Sequence, residues 1–166
     1  MTDDRAEDKA NFLQRMDAEF PAFTALLETI PDPDYEAPGV VDEWCLKELL
    51  GHVNFWAEKA AHDVRAVAAG NPGEVDLPGN QENVDKWNAR EAARGKAMEV
   101  PALKQTLHAS HTDARKAVEE APEAVLAVEM SGWTVGHRAA EDTYRHYHEH
   151  ADQVRQWLNQ TETSEQ

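Results

Sequence analysis

A chain of 166 residues is long enough for one domain that buries about 70% of its extended-chain surface, so no disulfide or structural metal is needed merely to fold. With 32 acidic against 16 basic residues the net charge is −16; such a surface repels phosphate backbones, no basic stripe interrupts it, and the expected partner is a small molecule rather than nucleic acid. The lone cysteine, Cys45, excludes an intramolecular disulfide and a cysteine-rich zinc site, and a charged N-terminus with no run of about 18 apolar residues predicts a cytoplasmic protein with no membrane partner.

Apolar residues recur at helical spacing nearly everywhere, and no segment alternates long enough to make a convincing strand. The first predicted helix runs from Arg5 to Ile30, with Phe12, Met16, Phe20, Phe23, Leu27 and Ile30 inward and Pro21 expected to kink it. Pro31 to Asp34 ends it, and a loop through Pro38 and Gly39 leads to a second helix, Cys45 to Ala69. Leu46, Leu49, Val53, Trp56, Ala60, Val64 and Val67 form its apolar stripe. Cys45 at the start of that helix reads as a semi-buried, inert thiol, since no base is assigned to it.

Two turn-rich stretches, Gly70 to Gly73 and Leu77 to Asn80, bound a loop able to pass over one end of the molecule. A third helical region follows, broken at Pro101 into Gln81 to Met98 and Pro101 to Ala121. Leu103, Leu107, Ala114 and Val118 share one side of the latter; His111 falls close to that side and His108 off it, and both read as surface or boundary residues. The last predicted helix opens on Thr134 as its N-cap and runs to Asn159, followed by a frayed tail, residues 161–166. Four helices joined by long loops make an all-α four-helix bundle with a broken third helix, occupying residues 1–160, the natural architecture.

Chemistry concentrates in His146-Tyr147-His148-Glu149-His150. The inward positions of the last helix read Val135, Ala139, Thr143, His146, His150, Val154 and Trp157, so His146 and His150 face the core while His148 faces solvent. An unpaired polar group in an apolar setting costs roughly 1–3 kcal/mol, so these imidazoles need partners. Two histidines at i and i+4 can share one cation; the competing reading is a buried hydrogen-bonded network with Tyr and Asp side chains. His52, three residues past Leu49 and four before Trp56, also faces inward and is the best third ligand. Three imidazoles on two helices would leave coordination positions for water or substrate, as a catalytic site requires.

Two stretches carry a resemblance. Gly39-Val40-Val41-Asp42-Glu43-Trp44 with Leu46 to His52 and Trp56, and Asp142 to Asp152 ending in Trp157-Leu158, resemble the second- and fourth-helix signatures of the DinB-like (YfiT-like) superfamily of metal-binding four-helix bundles. The likeness spans roughly Phe12 to Leu158 and points in particular to the ClbS/DfsB-like branch, whose best-known member is a self-resistance hydrolase. It implies a divalent metal, nickel or zinc, on His52, His146 and His150, and relatives that use low-molecular-weight thiols such as mycothiol, bacillithiol or glutathione. Cys45 stands where the branch usually has a Ser or Thr cap, and Asp142 where Asn is common. The resemblance also places Asn88, with Trp87 beside it, on a pocket wall.

Asp142, one turn before His146, would accept the free ring N–H of His146 and orient it. Trp56 would form an aromatic wall near His52. Three functions fit these residues: a metal-dependent hydrolase or thiol transferase acting on an electrophilic substrate in detoxification or self-resistance; a non-catalytic protein that sequesters a reactive molecule; and a dimerising bundle whose histidines are internal polar glue. Imidazole suits both nickel and zinc, and nothing in the sequence separates them.

Overall fold

The computed structural model describes residues 8–165. Its helices are α1 (Lys9–Glu28), α2 (Leu46–Ala68), α3 (Gln81–Lys96), α4 (Val100–Glu120), the short α5 (Glu123–Leu126), α6 (Val135–Asp142) and α7 (Tyr144–Ser164), with 3-10 turns at Asp32–Glu36 and Pro72–Glu74. The predicted start of the first helix at Arg5 lies outside the described residues. Within them the chain enters α1 through Asp8, whose carboxylate accepts from the Ala10 N–H at 2.9 Å. The helix continues through Pro21, because Pro21 and Asp17, whose carbonyl loses its helical donor there, both sit on the exposed face where water can take the bond. No helix among the described residues is long and apolar enough to cross a membrane.

Side-chain caps start two of the other helices. Asn80 Oδ1 accepts from Asn83 N at 2.8 Å to start α3, and Thr134 Oγ1 accepts from His137 N at 3.0 Å to start α6, as its position predicts. Cys45 precedes α2 in a capping box: its thiol faces the Glu48 backbone N–H, and the Glu48 carboxylate reaches back to accept from the Cys45 backbone N–H at 2.8 Å. Burial raises the Cys45 thiol pKa, which fits the inert thiol expected there. Between α5 and α6 a hairpin pairs Glu129 with Thr134 and Met130 with Trp133. Ser131 and Gly132 turn it with φ of 54° and 83°, the left-handed pair a tight hairpin demands.

The long helices bury their apolar stripes against one another as a bundle with α2 at its centre, packed on α3, α4 and α6, while α1 packs on α7 and α4. One core cluster joins Phe20, Phe23 and Leu27 of α1 to Leu46, Leu49 and Val53 of α2, Leu103 and Leu107 of α4, and Tyr147 and Val154 of α7. A second joins Phe12 and Met16 to Ala60, Val64, Ala114, Val118, Val135, Ala139 and Tyr144. α2 and α3 cross at a glycine pair: a Cβ on Gly51 would lie 2.8 Å from the Gly95 Cα, and one on Gly95 would lie 2.7 Å from the Gly51 Cα. Only two residues without side chains allow backbones to meet this closely.

The predicted single last helix is two. Thr143 takes φ −126° and ψ −100°, outside the helical region, while its hydroxyl bonds back to the Ala139 carbonyl at 2.7 Å and competes for the acceptor a continuous helix would use. The break shifts the inward face, so that Tyr144, Tyr147, Ala151 and Val154 now carry the core stripe of α7. At its other end α7 runs to Ser164, into the segment expected to be frayed. There the hydroxyls of Thr161, Thr163 and Ser164 bond the carbonyls four residues back at 2.8, 2.8 and 2.9 Å.

Candidate metal centre

His52 reaches out from the middle of α2, and His146 and His150 stand one turn apart on α7, on the flank of the Tyr147 stripe that faces α2. One ring nitrogen from each of the three lies within 4.8 Å of the others. His52 Nε2 and His146 Nε2 are 2.8 Å apart, and the His146 and His150 ring centroids 4.4 Å. Histidine 148 points to solvent, between Glu19 and Asp152, and His137 rests half-buried against Trp133. Helical phase therefore separated inward from outward histidines along this stretch.

Each ring is held from behind by a different group. His52 Nδ1 lies 3.0 Å from Asn88 Oδ1 on α3, and the same oxygen accepts the Trp56 indole N–H at 2.8 Å. His150 Nδ1 meets Gln153 Oε1 at 2.6 Å. Two ring nitrogens, His146 Nδ1 and His150 Nε2, are buried with no hydrogen-bond partner among the described residues. Burial drives the His52 pKa down to about 3, with the neighbouring His150 adding to the effect and the Asn88 contact opposing it. His146 and His150 are also lowered, chiefly by burial. At neutral pH the three are uncharged imidazoles with lone pairs to give.

Those lone pairs sit at the junction of two clefts of about 830 and 790 Å³. The first is walled by Trp56, Leu77, Pro78, Val84 and Trp133 and opens onto His52 and His146, with Gly79 and Asn80 also on its lining. The second is walled by Trp44, Asp42, Glu43 and Asp85 and opens onto His52 and His150. His52, Asn88 and Glu149 border both. An all-imidazole donor set, with His146 Nδ1 and His150 Nε2 both buried without a partner among the described residues, fits a metal ion, which these three residues could hold.

Two site residues are placed differently from their sequence reading. Asp142 does not orient His146: the Nδ1 of His146 has no partner among the described residues, and Asp142 instead borders the first cleft, because the Thr143 break separates the two residues' helical phases. Burial pushes the Asp142 carboxyl up to about 8, with Lys59 opposing and Asp63 adding to the rise. Trp87 turns away from the histidines into a separate pocket of about 320 Å³ with Phe55 and Arg90, whereas Trp56 and Asn88 stay at the site.

Two residues at the site were not given a role by sequence reasoning, and one elsewhere was misplaced by it. Gln153 is the i+3 neighbour of His150, a spacing that could have revealed it. Trp44, whose ring lies 5.2 Å from His52, is brought in by the turn linking Val40 to Trp44, which leaves no periodic signal. His111, read as a boundary residue, is buried and stacked on Phe20 at 3.6 Å between ring centroids. It lies between Leu107 and Ala114 at steps of four and three, so the stripe did contain it.

Residues 16–154 match the family described as mycothiol maleylpyruvate isomerase N-terminal domain. The chain belongs to this family, and with it to the DinB-like superfamily of helical bundles that the stretches around His52 and His146 resemble. Among solved structures it is similar to an uncharacterised protein from Escherichia coli UTI89, with a TM-score of 0.79 and 16% identity over 93% of this chain and 94% of that one. It is also similar to the colibactin self-resistance protein ClbS, solved in complex with a dsDNA, with a TM-score of 0.78 and 15% identity over 89% and 93% of the two chains. At these identities the likeness establishes the fold. No curated protein matches the sequence.

The ClbS complex overturns the exclusion of nucleic acid drawn from composition. Net charge is a sum over the whole surface, whereas a duplex meets one face, so a total of −16 does not decide what that face binds.

Proposed function

We propose that this protein is a metal-dependent enzyme acting on an electrophilic small molecule, by hydrolysis or by addition of a low-molecular-weight thiol. The observation that supports this reading best is the convergence of His52, His146 and His150 within 4.8 Å, uncharged and with His150 Nε2 buried without a partner, at the meeting of two clefts. The family name, taken from a mycothiol-dependent isomerase, supports a thiol as co-substrate.

A divalent cation bound by the three histidines would supply Lewis acidity toward the substrate or the attacking water or thiol. The chain's own residues supply the rest. Asn88 and Gln153 hold two of the imidazoles in place. Trp56, Val84 and Leu77 give the substrate an apolar wall that keeps bulk water off one side. Asp142, its carboxyl carried up to about 8, holds a proton at neutral pH on the rim of the same cleft and can donate it to a leaving group. Glu149 stands where both clefts meet.

Elemental analysis of protein purified without a histidine tag, followed by mass spectrometry of electrophiles incubated in excess with and without thiol, tests the proposal. One equivalent of zinc or nickel and more than one altered substrate molecule per chain support it. Loss of turnover on chelation, with recovery on adding metal back, ties the two together. Protection of at most one substrate molecule per chain, with no product released, would instead favour a sequestering protein, a reading the cleft volumes also allow. Double-stranded DNA, the ligand in the ClbS structure, belongs in the same panel, titrated at two salt concentrations so that phosphate contacts declare themselves.

A further inference from the structure

We propose that Asn88, itself oriented by Trp56, is the positioning residue that fixes the ring state of His52, so that His52 carries its proton on Nδ1 and turns an Nε2 lone pair toward His146 and His150. The inference deepens the metal-centre reading, on which its second readout rests.

The argument starts from the indole. Trp56 Nε1–H can only donate, and it lies 2.8 Å from a terminal atom of the Asn88 side chain. That atom must therefore be the amide oxygen; the amide nitrogen would oppose donor to donor. The same oxygen lies 3.0 Å from His52 Nδ1, and because it only accepts, Nδ1 must carry the hydrogen. A neutral imidazole has one N–H, and burial keeps His52 neutral, so Nε2 is left as the acceptor. One contact further on, His52 Nε2 lies 2.8 Å from His146 Nε2. Without a cation between them, His146 has to be the donor, which leaves its Nδ1 as the lone pair. That atom is one of the two buried ring nitrogens with no partner, and a lone pair can be left unpaired at lower cost than an N–H.

The backbone makes this chain of contacts possible. Asn88 lies seven positions before Gly95, two turns along α3 and on the same face, and His52 follows Gly51 directly on α2. The crossing, at which the two glycines leave no room for a Cβ, brings α3 close enough for a side chain as short as Asn to reach His52 Nδ1 and Trp56 Nε1 together.

The test reads the tautomers directly. Uniformly 15N-labelled protein, stripped with chelator at pH 7, is examined by long-range 1H–15N correlation, with His52→Gln and His146→Gln spectra assigning the rings. The proposal expects a protonated Nδ1 with bare Nε2 on His52 and the reverse on His146; a proton on His52 Nε2 overturns it, whether or not the protein binds metal. Trp56→Phe removes the constraint on the Asn88 amide and should bring the second His52 tautomer into view, whereas Asn88→Asp, an obligate acceptor, should keep the wild-type pattern. An unchanged tautomer in Trp56→Phe would mean that Trp56 does not orient Asn88 and would also overturn the proposal. As the second readout, Asn88→Leu should weaken zinc binding about 10- to 100-fold, the usual effect of removing the group behind a ligating histidine, and Asn88→Asp should restore it. If wild type binds no zinc, the metal-centre reading fails while the metal-free spectrum still decides the tautomer. If Asn88→Leu does not fold, the wild-type, Trp56→Phe and Asn88→Asp spectra decide it.

Discussion

Replacing His111 with leucine should flatten the acid limb of the stability curve by about 2 kcal/mol. His111 is 7% exposed, stacked on Phe20 with the rings 2° from parallel, and its Nδ1 lies 3.3 Å from the Tyr147 hydroxyl. Burial lowers its pKa from the ordinary 6.5 to about 4, with Asp17 opposing and Arg115 and His108 assisting. An unfolded chain takes up a proton on this ring below about pH 6.5 and the folded chain only near pH 4, so in that window the unfolded state binds more protons and stability falls as pH falls. The full shift corresponds to roughly 3.4 kcal/mol, and the part spent between pH 7 and pH 5 to roughly 2 kcal/mol, at 1.36 kcal/mol per pKa unit. Urea unfolding of wild type and His111→Leu at several pH values, in chelator, measures it. The buried triad histidines push stability the same way and Asp142, with its raised pKa, the opposite way, but both proteins contain them and the comparison removes them. The leucine variant should lose about 2 kcal/mol less than wild type from pH 7 to pH 5. Equal losses in the two proteins would mean that His111 is not held neutral, and the burial argument would fail.

His146→Ala or His150→Ala should abolish stoichiometric zinc binding in calorimetry, whereas His148→Ala and His137→Ala should leave it intact; equal loss from His148→Ala would mean that the helical phase is misassigned. Zinc affinity should persist as pH drops through 6.5, because burial holds His52 near a pKa of about 3 and keeps its lone pair free. A free His-x-x-x-His peptide, protonating near its ordinary pKa of about 6.5, should lose affinity over the same interval, and parallel curves would contradict the depressed pKa values. Gly95→Ala puts a Cβ 2.4 Å from the Lys47 carbonyl oxygen and should cost at least about 1–3 kcal/mol in thermal unfolding. Gly73→Ala, which meets nothing within 4 Å, is the control, and similar losses in the two would contradict the close crossing.

Periodicity made the helices and the three histidines legible because burial repeats along a helix: Leu49, Val53 and Trp56 bracket His52, and Val154 follows His150 at a step of four. What it missed depends on single torsions and on contacts between helices. Thr143 gives no local warning that its hydroxyl will take the Ala139 carbonyl, yet that one departure detaches Asp142 from His146 and hands the core stripe to Tyr144 and Tyr147. Asn88 was placed at the pocket by family resemblance, but its contact with His52 crosses between helices and follows from the bare crossing of Gly51 and Gly95. His111 was a misjudgement of a different kind: the spacing placed it inside, and its polarity argued it outward, until Phe20 supplied a ring face to cover it.

The two contacting imidazoles, His52 and His146, are 94 residues apart in the chain, so the donor set exists only once α2 and α7 have docked. Closing a loop of that length costs entropy before any contact offsets it, and neither the unfolded chain nor a docked α2 and α4 alone holds these three nitrogens together. A bound cation would thus act on the native state by mass action, adding about 4 kcal/mol at a thousand times its dissociation constant. Capture of zinc during refolding would time the arrival of the final helix.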